Sequence, residues 1–148
     1  MIKKILVATD GSGHAKKAIE FATDIALQYD ATICILHVVS KIEIPEEFLR
    51  YVEVEGFEET PQSVYLQKIG DEIIGAAEKA ISKKSVREVQ TALVQGDPAE
   101  KILEFARDQG VDMIVLGSRG LGRIKELLLG SVSSKVCHLA ECTCVTVK

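Results

Sequence analysis

Three stretches of the chain run apolar almost without a break: Lys4-Ile5-Leu6-Val7-Ala8, residues 31–39, and Asp112-Met113-Ile114-Val115-Leu116. A strand with one face in water alternates apolar and polar side chains; a strand covered on both faces does not. These runs therefore need helices above and below a sheet. The segments between them supply those helices. After Ser12, a candidate cap, residues Ala15, Ala18, Ile19, Ala22, Ile25, Ala26 and Tyr29 recur at helical spacing. Residues 62–83 repeat the pattern with Val64, Leu66, Ile69, Ile73, Ala76, Ala77, Ala80 and Ile81. Asp97-Pro98-Ala99-Glu100 has the cap, the first-turn proline and the acid of a helix start, and Gly110 stands where that helix ends. A further helix is expected over 131–139.

Two more strands complete the set. Residues 86–95 alternate more (Val86, Val89, Ala92, Val94), as an edge strand does, and 143–147 close the chain. Five strands alternating with four helices predict the α/β class. The expected form is a doubly wound, five-stranded parallel sheet of order 3-2-1-4-5, with helices on both faces. At 148 residues, the sequence fits a single domain, 1–148. In this order strands one and four are neighbours and the chain winds away from them in opposite directions. Ligands of such folds bind at that switch point, beyond the carboxyl ends of the strands. Ala8-Thr9-Asp10-Gly11 and 117–120 belong there.

The second of these segments opens Gly117-Ser118-Arg119-Gly120 and leads, after nine residues, to Gly130-Ser131-Val132-Ser133. Glycines let the backbone approach an anion, and a helix starting at Ser131 supplies unpaired N–H groups at the positive end of its dipole. Two familiar phosphate loops are excluded. The ATPase loop needs lysine and a hydroxyl after Gly117-x4-Gly122, where Arg123 and Ile124 stand instead. The dinucleotide pattern Gly-x-Gly-x2-Gly fails at Lys16 when started at Gly11, and at Lys125 when started at Gly120. What remains is Gly117-x2-Gly120-x9-Gly130-Ser131.

That spacing resembles the ATP-binding pattern of the universal stress protein family, and the likeness extends along the whole chain. It is carried by the opening Lys4-Ile5-Leu6-Val7-Ala8-Thr9-Asp10-Gly11-Ser12, by Leu36-His37-Val38-Val39, by Gly96-Asp97-Pro98-Ala99-Glu100-Lys101-Ile102, by Asp112 through Gly120, and by Leu128-Leu129-Gly130-Ser131-Val132-Ser133. The resemblance implies that Ala8, Thr9 and Asp10 line the adenosine and that Val38 contacts adenine. It implies that Leu116, Gly117, Ser118, Arg119 and Gly120, with Gly130, Ser131, Val132 and Ser133, surround ribose and phosphates. The implied cofactor is ATP, or ADP or AMP, with Mg or Mn held by Asp10. Arg123 and Lys125 would add positive charge. Plainer roles exist for the same residues: Asp10 as a turn residue, Ser131 as a helix cap, and Arg123 and Lys125 as solvated charges. The intact glycine pattern favours the binding roles.

No catalytic residue is assigned, because phosphoryl transfer needs a positioned base, a phosphate-spanning lysine and firm metal ligation, and only Asp10 is a candidate for any of them. The expectation is a nucleotide-binding regulatory protein of the stress response, a switch or sensor, ahead of a slow or partner-dependent ATPase or phosphotransferase. The final strand falls at a sheet edge, and the resemblance implies a homodimer paired there. A net charge of −4, no tryptophan and no basic stripe argue against a nucleic-acid partner. No segment reads as a membrane span and the apolar run before Asp10 is too short for an export signal, so a cytoplasmic protein is expected.

Three features stand apart. Cys34 reads as a small buried hydrophobe. Cys137, Cys142 and Cys144 lack zinc-site spacing and straddle a helix-to-strand junction expected to scatter them. His37 reads as a structural histidine. Residues 40–61 are acid-rich and long for a connection; a surface excursion with a little local helix, its apolar residues packed on the domain, is favoured over a lid or partner patch.

Overall fold

In the computed structural model, which describes residues 1–40, 43–120 and 130–148, the elements follow in the order expected from the apolar runs. They are β1 (Lys4–Ala8), α1 (Gly13–Tyr29), β2 (Thr32–Val39), α2 (Glu46–Glu55), α3 (Pro61–Ser82), β3 (Glu88–Gln95), α4 (Pro98–Asp108), β4 (Met113–Gly117), α5 (Ser131–Leu139) and β5 (Thr143–Val147). All pairings are parallel and the sheet order is β3-β2-β1-β4-β5. Five helices are described, the four expected between the strands and one more where a little local helix was expected. The added one, α2, lies inside the 40–61 excursion. Two glutamates, Glu46 and Glu47, stand in its first turn, where they complement the helix dipole, and Gly56 ends it at φ +66°.

The alternation of side chains along each strand builds two cores. Ile5, Val7, Ile33, Ile35 and Val115 pack against Ala18 and Ala22 of α1 and Ala77 and Ile81 of α3. Leu6, Leu36, Ile114 and Leu116 pack on the opposite face against Ala99, Ile102 and Ala106 of α4 and Val136 of α5. The central strands are thus covered twice, which is why their sequences do not alternate. β3, at one edge, is exposed along most of its length, as its alternation predicted. The caps form where the sequence placed them. Ser12 Oγ accepts from Ala15 N at 3.2 Å, and Asp97 Oδ2 accepts from Glu100 N at 3.0 Å.

Asp112 joins the starts of β1 and β4. Its Oδ2 accepts from Lys3 N at 2.8 Å and Lys4 N at 3.0 Å. The Lys3 N–H above all holds the carboxyl below its usual range; burial opposes it, and the Lys4 N–H adds a lesser lowering. A carboxylate lowered in this way stabilises the fold above its unfolded pKa and loses that contribution as it protonates in acid. Asp112→Ala should cost about 1 kcal/mol at neutral pH. In urea titrations the gap from the parent protein should close as pH drops through the lowered pKa. A gap independent of pH would sever the link to the ionised carboxylate.

Candidate functional site

The carboxyl ends of β1, β2 and β4 converge through hydrogen bonds that bind the site residues to one another. Thr9 N donates to Leu36 O at 2.9 Å, and Thr9 O lies 2.7 Å from His37 Nδ1. His37 is therefore a buried structural histidine, as read from the sequence. Beyond Thr9 the chain turns. Thr9 Oγ1 accepts from Gly11 N at 3.2 Å, Asp10 Oδ1 accepts from Ser12 N at 2.9 Å, and Gly11 takes φ +80°. The turn role of Asp10 is thus real, and it engages one carboxylate oxygen, Oδ1. The other lies against the β4 side: a Cβ on Gly120 would stand 2.5 Å from Asp10 Oδ2. Asp10 and Gly120, far apart in sequence, meet across the switch point.

Ser118 binds this region together more than its sequence position suggested. Its N–H donates to Val147 O at 2.7 Å, and its carbonyl accepts from Gly130 N at 2.6 Å and from Ser133 Oγ at 3.1 Å. Its own hydroxyl is 3.1 Å from His14 Nδ1. It is 1% exposed, so its side chain faces the protein and not a ligand. Ser133 is similar, buried with its hydroxyl also 3.1 Å from Gly130 O. These two hydroxyls are structural, as are the N–H and carbonyl of Ser118, which leaves the Ser133 N–H as the donor the pair can offer a ligand. His14 was missed as part of the site, since only the fold brings the first turn of α1 beside β4.

α5 begins at Ser131, with Gly130 at the cap position and no side-chain cap. The alternative role of Ser131 as the cap is therefore corrected: glycine holds that position and Ser131 is the first helical residue, exposed to solvent. The first N–H groups of a helix, here at Ser131, Val132 and Ser133, have no acceptor within the helix. Side-chain capping would normally satisfy some of them. With glycine there instead, they present a positive, donor-rich end at the switch point. Of the other expected site residues, Ala8, Val38, Gly117 and Arg119 are half-buried and Leu116 is buried, all at the same end of the sheet. Arg123 and Lys125 lie outside the described residues.

The cysteines differ from expectation. Cys144 is hydrogen-bonded to Cys137; burial first, then that bond, push its thiol pKa up, and Cys142 is near enough to add to the effect. The helix-to-strand junction gathers these thiols instead of scattering them, because α5 ends close to where β5 begins. Among the described residues, no group of three or more His, Cys, Asp and Glu side chains is placed to hold a metal ion.

This arrangement, with a glycine-capped helix and an acidic turn at the switch point of a 3-2-1-4-5 sheet, accompanies a family match over the entire chain. The model of the universal stress protein family matches residues 1–148. The chain belongs to the universal stress protein family. It is 36% identical to universal stress protein YxiE of Bacillus subtilis, with all of both chains covered. Among solved structures it resembles protein MJ0577 of Methanocaldococcus jannaschii, with a TM-score of 0.79 and 30% identity over 100% of this chain and 96% of that one. A universal stress protein in complex with cAMP shares its fold, with a TM-score of 0.72 and 22% identity over 99% and 97% of the two chains. No described helix is long and apolar enough to cross a membrane.

Proposed function

We propose that this universal stress protein binds an adenine nucleotide, ATP with Mg or Mn, at the β1/β4 switch point, and that it acts in the cytoplasm as a nucleotide-dependent switch or sensor of the stress response. The observation that carries this reading is the start of α5. Its leading N–H groups lack helix acceptors, its cap is a glycine, and Gly130 is hydrogen-bonded to the β4 turn that meets Asp10. The donor set suits phosphates: backbone N–H groups, the exposed Ser131 hydroxyl and the Arg119 guanidinium. A single carboxylate, Asp10, is what a Mg ion takes from a protein when phosphate oxygens and water complete its shell. Ala8, Thr9 and Val38 would take the nucleoside side. The cAMP complex of a protein of the same fold supports adenine as the base.

Calorimetric titration of ligand-stripped protein with ATP, ADP and AMP, with and without magnesium, tests the reading. Saturable binding that tightens with phosphate number is expected, and ATP should gain most from the metal. No binding at millimolar ATP would remove the proposal.

The dimer belongs to the same proposal. β5 pairs with β4 on one side and ends the sheet on the other. Val147 O bonds to Ser118 N, so the polar groups of Val147 and Val145 face β4, while those of Cys144 and Thr146 face outward. A second β5 would pair with that outward row. Thr146→Pro deletes an outward donor and no bond to β4. Light scattering should find the parent dimeric and this variant monomeric, with a native circular dichroism spectrum. A parent protein that is already monomeric excludes the dimer.

A further inference from the structure

The corner between α2 and α3 carries a surface that the candidate nucleotide site does not use. Only Val52 of α2 is buried. Leu49, Tyr51, Val54 and Phe57 are exposed by 38%, 50%, 83% and 44%, contrary to the expectation that the apolar residues of this excursion pack on the domain. Single exposed apolar residues are ordinary on a protein surface, but a contiguous strip with a charged rim marks an interaction site.

The aromatic part of this surface is continuous. The Tyr51 ring lies 5.9 Å from Phe48 and 5.8 Å from Phe57 between centroids, and Phe48 meets Tyr65 of α3 edge-on at 5.0 Å. These are direct ring contacts. Together they form an aromatic floor. Lys68 Nζ sits 5.4 Å from the Phe48 centroid, so the floor already accepts an ammonium group on one ring. A groove of about 630 Å³ runs along the floor, with Glu58, Glu59 and Asp71 on its rim. Residues 43–59 hold seven glutamates against Arg50, a net −6 in a chain of net −4.

We propose that this corner is a docking surface for a basic amphipathic segment of a partner protein. Large apolar side chains of the partner would lie on the aromatic strip, and its lysines and arginines would meet the glutamate rim. The charge decides among occupants. The charged lining of the groove is Glu58, Glu59, Asp71 and Glu72 against Lys68, so a second copy of this chain would set one acidic surface on another, and an anionic membrane would be repelled in the same way. α3, which forms one wall of the groove, also places Ile73 Cγ1 3.7 Å from where a Cβ on Gly11 would lie. A partner docked here would therefore rest on a helix that borders the β1–α1 turn.

The test uses the full chain without nucleotide, so it stands or falls separately from the nucleotide reading. A fluorescein-labelled amphipathic peptide of leucine and lysine is the probe, followed by anisotropy. Saturable binding is expected that weakens as salt rises. The same peptide with serine for leucine, or glutamate for lysine, should not bind. The Tyr51→Ser, Phe57→Ser double variant and the Glu58→Lys, Glu59→Lys double variant should each weaken binding by about tenfold or more. All four side chains are exposed, and unchanged melting temperatures will show that the fold is kept. Equal affinity of parent and both variants would overturn the proposal. So would binding to phosphatidylcholine vesicles in place of the peptide, or self-association that the Tyr51→Ser, Phe57→Ser variant abolishes.

Discussion

Gly130→Val should leave the fold intact and reduce ATP affinity by a hundredfold or more. Gly130 has φ −67° and ψ 160°, a backbone conformation that valine adopts freely. A Cβ there would find Arg119 Cα, Ser118 O and Ser133 Oγ each at 3.5 Å, which is ordinary contact. The fold therefore has room for the first carbon. The two methyl groups of valine would occupy the space between the start of α5 and the β4 turn, over the leading N–H groups. Phosphate oxygens could not then reach them. A hydrogen bond to a charged group contributes about 1.5–3 kcal/mol, so losing two of them accounts for a hundredfold. Gly130→Ala should lose less. Calorimetry on both variants, with melting curves beside it, checks the order. If Gly130→Val bound ATP as the parent does, the phosphates would not lie at α5.

The residues of this site differ in how openly the sequence displays them, and the difference has a physical cause. The sheet was legible because strands covered on both faces cannot alternate: Ile5-Leu6-Val7 and Ile114-Val115-Leu116 leave no other reading. The switch point then followed from crossover handedness, and it placed Asp10 near Gly120 before any contact was known. What could not be read were bonds between distant residues. Ser118 looks like a ligand residue in its motif, yet it joins His14, Gly130, Ser133 and Val147, partners 104, 12, 15 and 29 positions away. Only the packed fold shows that its hydroxyl is already engaged. α2 was legible only as a little local helix within 40–61. Its ten residues follow Pro45 without a side-chain cap and bury a single residue, so neither capping nor periodicity fixed its bounds. Cys137 and Cys144 meet because β5 turns back beside α5; the bounds of both elements are legible in the sequence, but how they pack is not.

Gly117→Ala should destabilise the protein by about 1–3 kcal/mol, the usual cost of forcing a methyl group into a filled interior. Gly117 is the last residue of β4, and α1 passes directly over it. A Cβ at this position would lie 2.8 Å from the carbonyl carbon and Cβ of His14 and 2.9 Å from Ala15 N. Two of these are backbone atoms, so no side-chain rotation relieves the clash. Nor can the helix start shift without loss, because Ala15 N is held by the Ser12 cap and Ala15 itself is 3% exposed. At roughly 2–4 °C per kcal/mol for a domain of this size, the melting temperature should fall by several degrees. An unchanged melting temperature would mean that α1 can lift from the sheet at no cost, against the packing described. The contrast with Gly130 gives the pair its value. Both glycines belong to one motif, but Gly117 is required by the helix packed upon it, whether or not a nucleotide is present. Weaker ATP binding by Gly117→Ala would therefore say little about contact with the ligand. Weaker binding by a fully folded Gly130→Val would say that the phosphates meet the start of α5.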